Sequence, residues 1–292
     1  MDCCCCECEA PDQVRYVAPT VVLGIIAYLY TSFSYYAQPQ LLIRHVPWVQ
    51  IGLFHAMTVL LCASLTQCLL SNESFVKRKK KGNLELDKPD EFDAVETKAD
   101  GRKRFCRRCN VWKVDRMHHC SSCRRCVLKM DHHCVYINKC IGYYNYKFFL
   151  QFLGWAAATC LYMAYLISKS LLVDHLDRAV NIFFYSKLRF WTPSIQIVLV
   201  FFFGACLGLA LTAFYALHLY LAAQNNTTLE YCEKRREPEY VNFFDVGVVH
   251  NLQQVFGTYQ EWPYWFIPVQ TPSAMRRGAI SFEVNEKFIK IE

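Results

Sequence analysis

Charge is missing from four long stretches of this 292-residue chain: residues 16–36, 46–70, 148–168 and 190–223 contain no Asp, Glu, Lys or Arg. Uncharged runs of that length are rare in soluble folds and argue against an ordinary soluble core. A helix needs roughly 20 apolar residues to cross about 30 Å of hydrocarbon, so each run is expected to span a membrane once. The last run exceeds the need, and Pro193 is expected near its start rather than in mid-span. A basic leader is missing too. Asp2, Glu7, Glu9 and Asp12 precede the first run with Arg15 as the one basic residue, which is unlike a cleaved signal. No glycine-rich nucleotide loop is present, nor a repeat with a period of about 20–50 residues.

Lys and Arg placement gives an orientation. Lys77, Arg78, Lys79, Lys80 and Lys81 follow the second run directly, whereas the connector after the first run offers Arg44 alone. The segment between the second and third runs is therefore expected on the cytosolic side, and an even number of spans brings both termini there. A basic cluster beside a span sets topology and meets anionic lipid, so a nucleic-acid partner is not expected. The expected residence is an endomembrane, Golgi or ER, with the plasma or vacuolar membrane as alternatives. The expected organisation is a Cys-rich head (1–15), two spans (16–70), a charged linker (71–103), a Cys/His domain (104–147), two spans (148–226) and a cytosolic tail (227–292). Cys3, Cys4, Cys5, Cys6 and Cys8 in the head are either acylated near the membrane or left unmodified.

Between Cys106 and Cys140 lie seven cysteines and four histidines. A closed zinc site takes four such ligands, so two sites use eight of the eleven and leave three over. Cysteine pairs two residues apart are knuckles for one metal: Cys106 with Cys109, and Cys120 with Cys123. An interleaved set completes both, with Cys106, Cys109, His119 and Cys126 at one site and Cys120, Cys123, His133 and Cys140 at the other. Exchanging His118 for His119 fits the spacing as well. Iron–sulfur ligation is disfavoured, because it prefers four thiolates without paired histidines. The interleaved set leaves His118, His132 and Cys134, and so a thiol beside an imidazole.

The sequence Asp131-His132-His133-Cys134, inside a Cys-rich segment between the second and third of four spans, resembles the signature of the DHHC family of membrane protein S-acyltransferases. Thr227-Thr228-Leu229-Glu230 is similar to that family's Thr-Thr-x-Glu motif, and the stretch around Asn251 to its Asn-bearing tail motif. The resemblance implies an all-α polytopic membrane protein of four transmembrane helices. Its cytosolic insert between helices 2 and 3 would consist of short β-hairpins holding two structural Zn2+, with the ligand partition above. It implies palmitoyl transfer from acyl-CoA, through a thioester on Cys134, to cysteines of substrate proteins at the bilayer surface. It also gives Thr227, Thr228 and Glu230 a bracing role, and makes Asn251 the tie between the tail and the membrane helices. Val135-Tyr136 stand where the family usually has Pro-Trp, and Lys139 where Asn is common, which alters the fine shape of the pocket for the acyl thioester.

A free thiol is only a few per cent ionised at neutral pH, so Cys134 needs a base. His132 is the candidate, with Asp131 fixing its tautomer. Lys113, Arg116, Arg124, Arg125 and Lys139 are candidates for the CoA phosphates. Small residues of the third span, Gly154, Ala156, Ala157, Ala158 and Thr159, either make room for an acyl tail or allow close helix packing. His118 is read as a structural hydrogen-bonding residue, and His55 and His218, inside spans, as packing or lumen-facing. The rival function is a membrane-anchored zinc scaffold that recruits partners, which needs the metal ligands but not Cys134.

Overall fold

In a computed structural model the described residues are 16–39, 47–71, 94–98, 100–173, 193–234, 241–273, 282–285 and 287. The N-terminal cysteines and the Lys77–Lys81 cluster lie outside them. Among the described residues four helices are long and apolar enough to cross a membrane. They are α1 (Val17–Ser32, continued by a π-turn over Phe33–Ala37), α2 (Trp48–Leu70), α3 (Tyr146–Val173) and α4 (Pro193–Ala223). Pro193 is the first residue of α4, where its missing N–H has no helical partner to lose. The chain forms two compact units: 20–65 with 150–217, and 66–149 with 218–292 plus the first residues.

The described residues of the first unit are helical almost throughout. Leu29, Phe33, Phe54, Met163, Leu166, Ile167 and Val200 form its core, with the Phe33 and Phe54 rings 4.2 Å apart. Phe202, Leu209 and Phe214 on α4 stay exposed, so the bundle is apolar on its outside as well and needs lipid rather than water around it. Small residues bring α3 and α4 together: a Cβ on Gly208 would meet the Leu161 side chain at 2.8 Å, and one on Gly154 would meet the Tyr215 ring at 3.1 Å. At Gly154 the small residue thus serves close packing. Two polar pairs form in this unit, Tyr28 Oη donating to Gln196 at 3.0 Å and His55 with Gln38 at 3.2 Å.

The second unit carries three antiparallel hairpins: β1 (Phe105–Cys106) with β2 (Val111–Trp112), β3 (His118–Cys120) with β4 (Arg125–Val127), and β5 (His132–Cys134) with β6 (Lys139–Ile141). These turns repeat one design. The first strand of each ends on a cysteine, Cys106, Cys120 or Cys134, spaced fourteen residues apart, and each turn closes on a left-handed residue, Asn110 (φ 56), Arg124 (φ 53) or Asn138 (φ 50). Such a period is shorter than those of solenoids, and it is visible in the sequence once the hairpins are aligned. Helices α5 (Thr228–Lys234) and α6 (Val248–Phe256) and a 3-10 segment (Tyr259–Trp265) follow.

Charge misplaces the boundaries of the third helix, which runs on through Lys169 to Val173. Helix α3 begins at Tyr146 and takes in Lys147, which the uncharged-run reading had excluded. The Lys147 ammonium is buried and donates to the Val269 carbonyl at 2.7 Å, so it starts the helix without a charge facing lipid.

Candidate active site and metal centres

Strand alternation sorts the ligands. Successive side chains of a strand point to opposite faces, so His119 and Cys120 serve different clusters, and His133 turns away from His132 and Cys134. Cys106, Cys109, His119 and Cys126 gather around one point, and Cys120, Cys123, His133 and Cys140 around another. His119 Nδ1 lies 3.5, 3.2 and 3.9 Å from the three sulfurs of its group, and His133 Nδ1 3.7, 3.4 and 3.7 Å from its own. Zn–S bonds of about 2.3 Å and Zn–N bonds of about 2.0 Å at tetrahedral angles put neighbouring ligands about 3.5 Å apart. The donor sets fit. His118 belongs to neither group, and burial drives its imidazole down to about 3, so it is neutral.

The remaining residues of the signature meet in a buried centre. The Asp131 carboxylate accepts from Thr228 N (2.9 Å), Thr228 Oγ1 (2.8 Å) and His132 Nδ1 (2.7 Å). A carboxylate can only accept, so His132 carries a proton on Nδ1, which leaves Nε2 as the nitrogen able to serve the Cys134 thiol, two residues on and on the same face of β5. Burial depresses the His132 imidazole, but the bonds to Asp131 and Cys134 outweigh it and raise it to about 9. Burial opposes the Asp131 charge, yet the His132 bond and the backbone N–H of Thr228 hold its carboxyl below the usual range. Phe149 packs edge-on to His132 at 5.3 Å and to His218 at 5.1 Å. His218 is therefore no lumen-facing residue. It is buried beside Asp131 and His132, and Tyr146 Oη lies 3.4 Å from its Nδ1.

Thr227 and Glu230 cap the start of helix α5. Thr227 N donates to Glu230 Oε2 at 2.8 Å and Glu230 N donates to Thr227 Oγ1 at 3.2 Å, a reciprocal cap that leaves Thr228 free to hold Asp131. Asn251 Nδ2 donates to the Ala223 carbonyl (2.8 Å), the last residue of α4, and its Oδ1 accepts from Val246 N (3.1 Å).

The basic residues proposed for CoA behave unequally. Arg116 is fully buried, and this corrects its assignment to the phosphates. Its guanidinium donates twice to Glu230 (2.7 Å each) and to Asn225 Oδ1 (2.9 Å) and O (2.7 Å), beneath the Phe244 ring at 4.7 Å. A residue locked in this way cannot reach a ligand in water, and its sequence neighbours gave no sign of the burial. Lys139 donates to the Leu69 carbonyl at the end of α2, while Lys113 is half-buried and Arg124 and Arg125 are exposed. Thr159 lies in the helical unit, buried, with an Oγ1 that has no hydrogen-bond partner among the described residues. Val135 and Tyr136 stand exposed at the tip of the β5–β6 turn, next to Cys134.

Residues 99–235 match the family model described as DHHC palmitoyltransferase. The chain is 41% identical over 180 residues to palmitoyltransferase ZDHHC15 of Rattus norvegicus, which covers 58% of this chain and 48% of the relative. It is 38% identical over 181 residues to palmitoyltransferase ZDHHC2 of Mus musculus (58% and 44% covered) and 36% identical over 181 residues to palmitoyltransferase ZDHHC20-B of Danio rerio (59% and 50%). It spans about half the length of the curated relatives it matches.

Proposed function

We propose that this chain, which carries a DHHC palmitoyltransferase domain over residues 99–235, is a protein S-acyltransferase working through a thioester on Cys134. The observation that carries the reading is the 2.7 Å hydrogen bond between Asp131 and His132, with Cys134 two residues on along the same strand face and all three outside both four-residue clusters. His132 accepts the thiol proton, and Asp131 stabilises the imidazolium that forms. The Cys134 thiolate attacks the thioester carbonyl of an acyl-CoA, the carbonyl re-forms, and the CoA thiolate leaves and takes a proton from His132. In the second half the thiol of a substrate protein loses its proton to His132 and attacks the acyl-Cys134 thioester, which releases Cys134. One thioester is exchanged for another at each step, so no ATP is consumed.

The two four-residue clusters hold one Zn2+ each, whose contribution is to fix the three hairpins and so the position of Cys134. Bound zinc supplies folding energy to such small, hydrogen-bond-poor segments. Each buried CH2 contributes about 0.8 kcal/mol, so a palmitoyl chain stays in the hydrocarbon while its headgroup reaches water. A nucleophile at that boundary meets both. Lys113, Arg124, Arg125 and Lys139 remain the candidates to meet the CoA phosphates. The Cys/His domain and both termini face the cytosol of an endomembrane, where thiols stay reduced. Substrates are proteins held at that face with accessible cysteines.

Purified protein incubated with labelled acyl-CoAs of several chain lengths and a membrane-anchored cysteine peptide tests this. Hydroxylamine-labile label is expected first on the enzyme and then on the peptide. Label on neither, with both metals bound, favours the scaffold reading instead.

A further inference from the structure

A third set of metal-capable donors overlaps the proposed catalytic centre. One ligand atom each from Asp131, His132 and His218 lies within 4.8 Å of the others, the same clustering that brings together the two four-residue sets. The three arrive from different elements: Asp131 precedes β5, His132 is on β5 and His218 is in the last part of α4. Asp131 and His218 are buried to 1% and 2% exposure, and His132 keeps an opening to solvent. Two imidazoles and one carboxylate with a vacant position form the donor set of open zinc sites, and borderline divalent ions prefer it to an all-oxygen set. Asp131 Oδ2 and His132 Nδ1 are 2.7 Å apart, and adjacent ligands on a tetrahedral ion about 2.1 Å from each stand about 3.4 Å apart, so a cation that replaces the shared proton spreads this pair by about 0.7 Å.

We propose that Asp131, His132 and His218 form a third, inhibitory binding site for a zinc-type divalent cation. The reading that Cys134 is the nucleophile supplies the consequence for activity, while the binding itself stands apart from it. An ion on His132 Nδ1 takes up the nitrogen that Asp131 holds, and so removes the carboxylate support on which proton transfer from Cys134 depends. His218 acquires a role by the same geometry: it is the ligand that turns a two-member relay into a chelate. Phe149, packed against both imidazoles, holds the two rings on one side of Asp131.

Protein purified with its two structural metals and freed of excess ion is titrated with Zn2+ and, separately, with Co2+. The number bound is read by elemental analysis and the ligand set by the cobalt visible spectrum. One further equivalent is expected, with a spectrum of nitrogen and oxygen ligands, and acyl-enzyme formation falls in step with its binding. His218→Ala and His218→Gln are expected to keep the two structural equivalents and to bind the extra one about 10- to 100-fold more weakly. No additional equivalent in the wild type, or an unaltered one in both His218 variants, overturns the site. An additional equivalent that His218 variants lose, in a protein that never takes acyl label, leaves the site standing and removes the acyltransferase reading.

Discussion

Ile137 stands in the third hairpin where Cys123 stands in the second: each follows a strand-ending cysteine by three residues, and each turn closes on a left-handed residue, Asn138 or Arg124. Cys120 therefore has a partner thiol in its own turn, and Cys134 has a buried isoleucine. On the proposed reading, the nucleophile is a knuckle-type cysteine whose mate is apolar. Ile137→Cys is expected to restore the knuckle, so that Cys134 chelates added Zn2+ and acyl-enzyme formation falls at least tenfold in its presence. Unchanged labelling of Ile137→Cys in zinc would contradict this account of why Cys134 is free.

Ligands and relay residues separate by metal content. Cys109→Ala is expected to release one equivalent of zinc and to expose the hairpins to protease, because structural metal carries folding energy. His132→Ala is expected to keep both equivalents and to lose about 100-fold or more in acyl-enzyme formation, the usual range for removing a general base. Equal zinc loss from the two variants would show that the ligand partition is wrong.

Burial recasts Arg116. Removing one partner of a buried ion pair typically costs about 3–5 kcal/mol, so Arg116→Ala is expected to lower the melting temperature sharply. Arg116→Lys should recover little, since a lysine cannot bond Glu230 in two places. Neither variant should raise the KM for acyl-CoA in the fraction that remains folded. A selective rise in KM without loss of stability would restore the phosphate role.

The raised His132 imidazole links stability to pH. A group whose folded value, about 9, exceeds its unfolded value of 6.5 stabilises the fold fully below 6.5, and this contribution disappears as pH rises through 9. The melting-temperature advantage of the wild type over Asp131→Asn should thus be constant below about pH 6.5 and shrink between 6.5 and 9. An advantage that grows across that window would place the proton elsewhere.

The spans and the Cys/His array were legible because each leaves a signal within a short stretch of chain: absence of charge for one, ligand types at fixed intervals for the other. Such intervals point to the eight clustered ligands but leave His118 and His119 interchangeable, and it is the structure that puts His119 in the cluster. What the sequence hid depends on contacts far apart along it. Arg116 and Glu230 are separated by 114 residues, and nothing near Arg116 distinguishes it from the exposed Arg124 and Arg125. His218 looks like any histidine in an apolar helix until α4 is placed beside Asp131 and His132. Lys147 reads as a boundary in the sequence because its hydrogen-bond acceptor, the Val269 carbonyl, lies in the tail. The fourteen-residue recurrence was readable all along, and alignment of Cys106, Cys120 and Cys134 would have found it.

Mass spectrometry of the protein trapped with a long-chain acyl-CoA asks directly which sulfur carries the chain. The acyl group should map to Cys134 alone among the cysteines of the hairpins, and Cys134→Ser should bind both zincs and carry none. Acyl groups on a cluster cysteine such as Cys120, or undiminished transfer by Cys134→Ser, would contradict the account.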